Sequence, residues 1–441
     1  MEETETMKMK WIGGLVLLTL FSGVSLSAQE AQKPLTLEES IQIALDRSLE
    51  LHSAVEGVVG SQFRQKGAFT NFLPTWTGQY SYTRPNLPTP IGVVGQGVSG
   101  ASRNVSNFST TANQPLFTGG SNLANYRLET YGVDISKTNV EVVKRDIVLQ
   151  VRAEYYNILK ALKLRDVAEQ NVKLFEAQLD VSRAFFEVGI VAKNDVLQAE
   201  VNLANARQGL IKAENDLAVA KASFNRLLRR GIDTPLTVVD ILEYKPFPLP
   251  FEESAEEALR RRQEIRTAGL SISQAKEAVK VARAGFFPTI SLSGTYNRIS
   301  DAVGLQGDLR FERWQIQALG TITLWNWGNT AYKVGENKVK VRQAEDAKVQ
   351  LIEGIILEVK QDYLIMLTAE KSIQVAEKAI EQAEENLRLS EERYKYQVAT
   401  AIDVQNAVTL LTQARTNYYN ALSDFNIAKA QLEAAMGRMY P

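Results

Sequence analysis

The 441-residue chain has no cysteine and one histidine, His52. Disulfides, thiolate metal sites, cysteine nucleophiles and a lipid-bearing N-terminal cysteine are therefore excluded. A single histidine builds no multi-histidine metal site and supplies no second base. Charge of either sign is not in excess, with 50 basic against 51 acidic side chains. That balance gives no electrostatic ground for a nucleic-acid partner. A 45% hydrophobic and 23% charged composition excludes wholesale disorder, and the length suits one elongated domain or two to three compact ones.

Long apolar runs are absent except at the start. Lys8 and Lys10 precede the run from Trp11 to Val24, and small residues follow at Ser25, Ser27 and Ala28. This reads as a secretory signal peptide over residues 1–27, cleaved after Ser27 or Ala28. The run is short and glycine-interrupted for a span of about 20 residues. Glu2, Glu3 and Glu5 are unusual there, so Met7 or Met9 is the expected start. The mature part, 28–441, is expected in the periplasm, outside the cell or, if it spans a membrane, as a β-barrel.

Proline is also scarce where it matters. Residues 116–234 and 289–440 contain none, and 133–188 and 355–436 also lack glycine. Both residues oppose helix interiors, so these stretches read as helices of unusual length. Ile352, Ile356, Val359, Tyr363 and Met366 alternate steps of four and three, as do Val140, Ile147, Val151, Tyr155, Ile158 and Leu162 in part. That spacing keeps one seam against a neighbouring helix. A helix from about 121 to 187 would be on the order of 100 Å long.

The chain repeats itself. A shift of 214 aligns Leu35–Ser40 with Leu249–Ser254, Phe72–Thr75 with Phe286–Thr289 and Tyr82–Arg84 with Tyr296–Arg298. A shift of 208 aligns Leu116-Phe117 with Leu324-Trp325, Asp195-Val196 with Asp403-Val404, and Arg207, Asp216 and Lys221 with Arg415, Asp424 and Lys429. The register changes between 85 and 111, where one copy has a longer loop. The chain is therefore read as two repeats, 35–230 and 249–437, joined by a linker at 231–248.

Each copy reads helix, strand, loop, strand, long helix, turn, helix. The first helix is expected to start after Thr36 with Glu39 in a capping box, and after Pro250 in the second copy. Ser121 and Asn329 are the expected N-caps of the long helices. Thr75–Thr83, Thr289–Asn297 and Arg313–Thr323 alternate apolar with small polar residues, and 104–114 does so more poorly. Such alternation fits a strand between lipid and a watery lumen, or an ordinary half-buried sheet. In a membrane, four strands per chain cannot close, so two, three or four chains would have to share one barrel.

The duplicated pattern resembles the TolC-type outer membrane efflux proteins over about residues 35–437. The resemblance rests on Leu37–Leu45 (LEESIQIAL), Phe72–Pro74, Gln114–Gly120, Val188-Gly189 ahead of Asp195–Ala199, and Asp403–Ala407, in that order. It implies a mainly α fold with a transmembrane β part. A homotrimer would share a twelve-stranded barrel above a long helical tunnel, with 231–250 in a belt around it. It implies a passive duct, not an enzyme, with no cofactor and no metal requirement. Its partners would be outer membrane lipid, a periplasmic adaptor and an inner-membrane pump, and its cargo small molecules. The same architecture also serves polypeptide secretion with an ATP-driven exporter. A reading from another class is a soluble periplasmic coiled-coil scaffold or adaptor.

The resemblance also places a gate at the hairpin tips, near Val188–Asn194 and Tyr396–Thr400. Asp403 matches a position that projects an acidic ring into the pore, and Asn406 lies one turn on. Asp403 equally suits the first turn of a helix opened by Thr400. Tyr394 and Asp195 match a link between hairpins, although Tyr394 also fits a seam position. Gln397 stands where the family has a glycine, and Ala399 replaces an arginine. The turns at Val188, Gly189, Tyr396 and Gln397 are the expected adaptor contacts. Trp314, Trp325 and Trp327 are expected near the membrane edge, and His52 on a helix surface.

Overall fold

The computed structural model describes residues 34–91, 100–307 and 310–439; the expected leader at 1–27 lies outside them. Helix α1 (Leu37–Arg47) opens with the capping box, Thr36 and Glu39 each accepting the other's backbone N–H at 3.1 Å. The sequence reads one helix before the first strand, but there are two. Ser48 has an extended backbone and its side chain accepts from the N–H of Leu51, which starts α2 (Leu49–Thr70). A shift of 214 leads to the same break at Arg262, between α5 (Phe251–Arg261) and α6 (Gln263–Arg283). There the guanidinium holds the bend, donating to Glu358 at 2.9 and 3.2 Å and to the carbonyl of Ala435 at 3.1 Å.

Helices α3 (Ser121–Glu187) and α7 (Asn329–Lys395) have 67 residues each, and α4 (Lys193–Leu227) and α8 (Ala401–Ala435) have 35 each. The long helices start at Ser121 and Asn329 as read, but these residues are not the caps. Gly120 and Gly328 take that position with φ of +87° and +80°. The turn from strand to helix needs a left-handed residue, which glycine supplies without Cβ strain. Near the strands the helices lie in the order α2, α3, α6, α7; toward the far end the order is α4, α3, α8, α7. Among the described residues no helix is long and apolar enough to cross a membrane.

Two apolar cores lie at equivalent places in the copies. One gathers Val151, Tyr155 and Ile158 of α3, Phe224 of α4 and Leu37 and Ile41 of α1. The other gathers Ile355, Val359 and Met366 of α7 with Phe425 and Leu432 of α8. The linker is strapped across this waist. Leu35 bridges Val238, the Tyr155 hydroxyl lies 3.0 and 2.8 Å from the carbonyls of Leu35 and Val239, and Asp240 pairs with Lys163 at 2.5 Å.

Strands β1 (Thr75–Thr83), β4 (Val105–Thr118), β5 (Thr289–Ser300) and β6 (Arg310–Thr321) form one antiparallel sheet in that order. A small hairpin, β2 (Thr89–Ile91) and β3 (Gly100–Ser102), fills the longer loop of the first copy. The strand with the poorest alternation, β4, is the longest at 14 residues. It is interior, hydrogen-bonded to β1 on one side and β5 on the other, so the ladders hold it without apolar alternation. Its Pro115 sits at a register shift, where a missing N–H costs least.

Register sorts most side chains by face, with the cross-strand pair Arg298–Glu312 an exception on the apolar side and Ile299 and Leu319 on the polar side. One face carries Trp76, Tyr80, Phe108, Ile290, Leu292, Tyr296, Trp314 and Ile316. The other carries Thr77, Gln79, Ser109, Thr111, Ser293, Thr295, Gln315 and Gln317. Trp76 is 80% and Trp314 74% exposed. Phe286, Phe287, Leu324, Trp325 and Trp327 are also exposed where strands meet helices, and the two tryptophans pack edge to face. β1 and β6 each have one open edge in the sheet.

Next to the α5–α6 break, burial raises the Asp362 carboxyl to a pKa of about 6, with Glu358 adding repulsion and Arg262 opposing. A raised folded pKa means that the protonated form stabilises the waist, and this contribution is lost as pH rises from about 4 to about 6. Asp362→Asn is expected to raise the melting temperature at pH 7 and to leave it nearly unchanged at pH 4. Thermal melts across pH measure this.

Candidate functional site at the helical hairpin tips

The far ends of α3, α4, α7 and α8 meet in a third apolar cluster. Val172, Phe175 and Leu179 of α3 pack with Leu203 of α4, Leu387 of α7 and Val404, Val408 and Leu411 of α8. Ala199 and Ala206 on α4, and Ala407 and Ala414 on α8, are buried at seven-residue spacing. Small side chains on that seam let the helices approach closely.

Both tip turns are built alike. In the first, the N–H groups of Gly189 and Ile190 donate to the carbonyls of Phe186 and Phe185 at 3.0 and 2.8 Å. In the second, those of Gln397 and Val398 donate to Tyr394 and Arg393 at 3.0 and 2.8 Å. This helix-ending motif requires a left-handed residue, with φ of +77° at Gly189 and +60° at Gln397. Glutamine there has a strained backbone that glycine does not.

Asp403 is exposed and completes a capping box. It accepts from the backbone N–H and the hydroxyl of Thr400, both at 2.8 Å. Those two donors hold its carboxyl below the usual carboxylate range. Asn406 is exposed, and Leu410, Gln413 and Asn417 continue the same open stripe of α8. Asp195 occupies the first turn of α4, where Ala192 offers no side-chain cap.

Tyr394 is only 4% exposed. Its ring packs on Phe185 with centroids 5.4 Å apart, and its hydroxyl lies 3.5 Å from Ser182 Oγ. It therefore sits on the seam, and no hydrogen bond joins it to Asp195 in this structure. Val188 and Tyr396 are exposed at the turns, and Ile190, Val398 and Ile402 are exposed beside them. Sequence reasoning gave these last three no role of their own; for Ile190 and Val398, which lie within the expected turns, the signal was an apolar residue directly after the left-handed position. No cluster of three metal-ligating side chains occurs among the described residues. His52 is exposed on α2.

The arrangement offers apolar knobs around two turns, an acidic side chain at each helix start, Asp195 and Asp403, and a buried seam behind them. The family model described as outer membrane efflux protein matches residues 40–228 and 255–438. Outer membrane efflux protein BepC of Brucella suis is 23% identical over 424 residues, covering 95% of this chain and 89% of its own length. Outer membrane protein TolC of Escherichia coli is 21% identical, covering 77% and 71%. Among solved structures, CusC superposes with a TM-score of 0.79 at 18% identity, covering 91% of this chain and 92% of its own.

Replacing Gln397 by glycine is expected to stabilise the tip by about 1 kcal/mol, and Gly189→Gln to destabilise it by a similar amount. Limited proteolysis at the tips reads this as slower cutting in the first variant and faster cutting in the second.

Proposed function

The chain belongs to the outer membrane efflux protein family, and on that premise we propose that three copies of it form a passive export duct for small molecules. As a family member it lies in the outer membrane, with its helices reaching into the periplasm, and it is a channel rather than an enzyme. Membership sets aside the reading as a soluble scaffold. In the duct, a periplasmic adaptor and an inner-membrane transporter deliver cargo from below.

The observation that carries the proposal is the open sheet. Its apolar face suits lipid and its Thr, Ser, Asn and Gln face suits water. Its edges, β1 and β6, cannot stay unpaired in hydrocarbon. Pairing β6 of one copy with β1 of the next closes three four-stranded sheets into a twelve-stranded barrel. The same operation brings the exposed apolar residues of α7, such as Leu357, Leu364 and Val375, toward those of α2 and α4 in a neighbour.

Each protomer is then two repeats, 35–230 and 249–437, with 231–248 in a belt at the waist. Three copies of Asp403, with Asn406 one turn on, ring the narrow entrance and favour cations. The Tyr394–Asp195 link belongs to a rearranged tip, since here Tyr394 is buried against Phe185 and Ser182. The exposed turns at Val188, Gly189, Tyr396 and Gln397 are the adaptor contacts.

Fractionation of inner and outer membranes, followed by the native mass of the detergent extract, tests the assembly. Three chains confined to the outer membrane are expected; a soluble monomer or dimer refutes the duct. In planar bilayers, Asp403→Asn is expected to lower the preference for cations over anions. A deletion strain is expected to become sensitive to small toxic molecules. A defect confined to polypeptide secretion would favour the ATP-driven exporter instead.

A further inference from the structure

A cleft of about 490 Å³ opens at the waist, away from the sheet and the tips. It lies between α3, the linker, α8 and the segment after α8, a size typical of small-molecule sites. Four cations line it against three acids, Glu38, Glu243 and Glu433. Three of the cations face a carboxylate: Arg152 lies 2.6 Å from Glu433, Arg438 pairs with Glu257 at 2.7 Å, and Lys245 pairs with Glu243.

Lys429 is the exception. Its ammonium donates to the backbone carbonyl of Lys245 at 3.2 Å, and no ion pair to it forms among the described residues. Burial lowers its pKa; nearby Arg152 and Lys245 push the same way, and Glu433 opposes them. Tyr156 lines the same cleft. It is 8% exposed, and its hydroxyl has no hydrogen-bond partner among the described residues. Burial raises its pKa, and the same three charged groups, Arg152, Glu433 and Lys245, act on it together with Glu243.

The Tyr156 hydroxyl opens on the cleft without a protein acceptor, and a half-buried cation without an ion-paired carboxylate is costly. Both are donors, and both open on one cavity, so the missing component is an acceptor carrying negative charge. We propose that this cleft binds a small oxyanion-bearing molecule, a carboxylate or a phosphate, with Lys429 neutralising its charge and Tyr156 donating a hydrogen bond. Arg152 and Lys245 add to the attracting field while keeping their own partners. The bound molecule bridges α3 to α8 at the level of the linker, and so stiffens the waist.

Isothermal titration of the purified channel in detergent, with inorganic phosphate and separately with succinate, tests this. At least one probe is expected to bind saturably, one per chain. Tyr156→Phe and Lys429→Met are each expected to weaken it about tenfold or more. Lys429→Arg is expected to retain binding. Tyr156→Phe removes only an unpartnered hydroxyl, so its melting temperature should match the parent and a loss of binding there is not a folding defect. Binding of phosphate alone assigns a phosphoryl ligand, and of succinate alone a carboxylate. No binding of either probe at about 10 mM, or unchanged affinity in both variants, overturns the site. The measurement needs neither pump nor adaptor, so it stands or falls apart from the export reading.

Discussion

The backbone of an open sheet in hydrocarbon is the constraint on which the rest of the structure depends. Every unpaired N–H and C=O along β1 and β6 would cost several kcal/mol in lipid. One chain has only four strands in the sheet, too few to close alone. The cost is removed when copies share the edges around an axis. Each long helix follows a strand, through Gly119-Gly120 in one copy and through the segment 322–328, ending in Trp327-Gly328, in the other. The helices are therefore arrayed around the same axis as the strands. This accounts for the many exposed apolar side chains on α2, α4 and α7, which in a closed ring are interior.

A second constraint is length. A helix of 67 residues, about 100 Å, has no globular core to lie on for most of its course. It is held instead by a succession of local seams. At the waist the seam is filled with bulky residues, Tyr155 against Phe224 and Met366 near Phe425. At the tips Phe175, Leu179, Leu203 and Leu411 fill it as well, and buried alanines recur at seven-residue spacing in both places, Ala407 and Ala414 near the tip and Ala421, Ala428 and Ala435 at the waist. What sets the waist apart is the linker strapped across it, while the tip carries the strained turn at Gln397.

Much of this was legible in the sequence because duplication supplies its own control. A feature seen twice, at shifts of 214 or 208, is hard to mistake for chance, and the 67- and 35-residue helices recur at the same shift. Reading failed where local chemistry and backbone shape part company. Ser121 and Asn329 are good cap types, yet the chain needed a left-handed residue one position earlier, and Gly120 and Gly328 took the role. The break at Ser48 carried a cap signal, but its counterpart is Arg262, whose bend is held by contacts to Glu358 and Ala435 from distant helices. No local pattern announces such a bend. At the tips, Asp403 shows its capping partner in the sequence as Thr400, whereas the burial of Tyr394 against Ser182 depends on two helices meeting 212 residues apart in the chain. The cleft at Lys429 was likewise invisible, since α3, α8 and the linker come together only in the fold.

The left-handed residues show how strongly the shared backbone governs both copies. Among the described residues, three non-glycine residues have positive φ: Arg229, Trp327 and Gln397. Shifted by 208, each falls on a glycine with positive φ, Gly437, Gly119 and Gly189. At every pair one copy has the unstrained residue and the other tolerates strain. If local preference decided backbone shape, the strained member would relax and the two copies would diverge. They do not, because the helix ends that these residues close are positioned by their seams and by the hydrogen bonds of the following N–H groups. At Arg229 and Gly437 these run from Arg230 to Asn225 and from Arg438 to Glu433, at 2.8 and 2.9 Å. Close approach permits no other choice at Gly119, where an added Cβ would stand 2.6 Å from the carbonyl of Ala284. Tolerance at Trp327 follows from its exposed side chain, which meets no such wall. The two halves therefore converge on one backbone and differ in side chains at the turns, which leaves those turns free to carry different surfaces, glycine at one hairpin tip and Gln397 beside Tyr396 at the other.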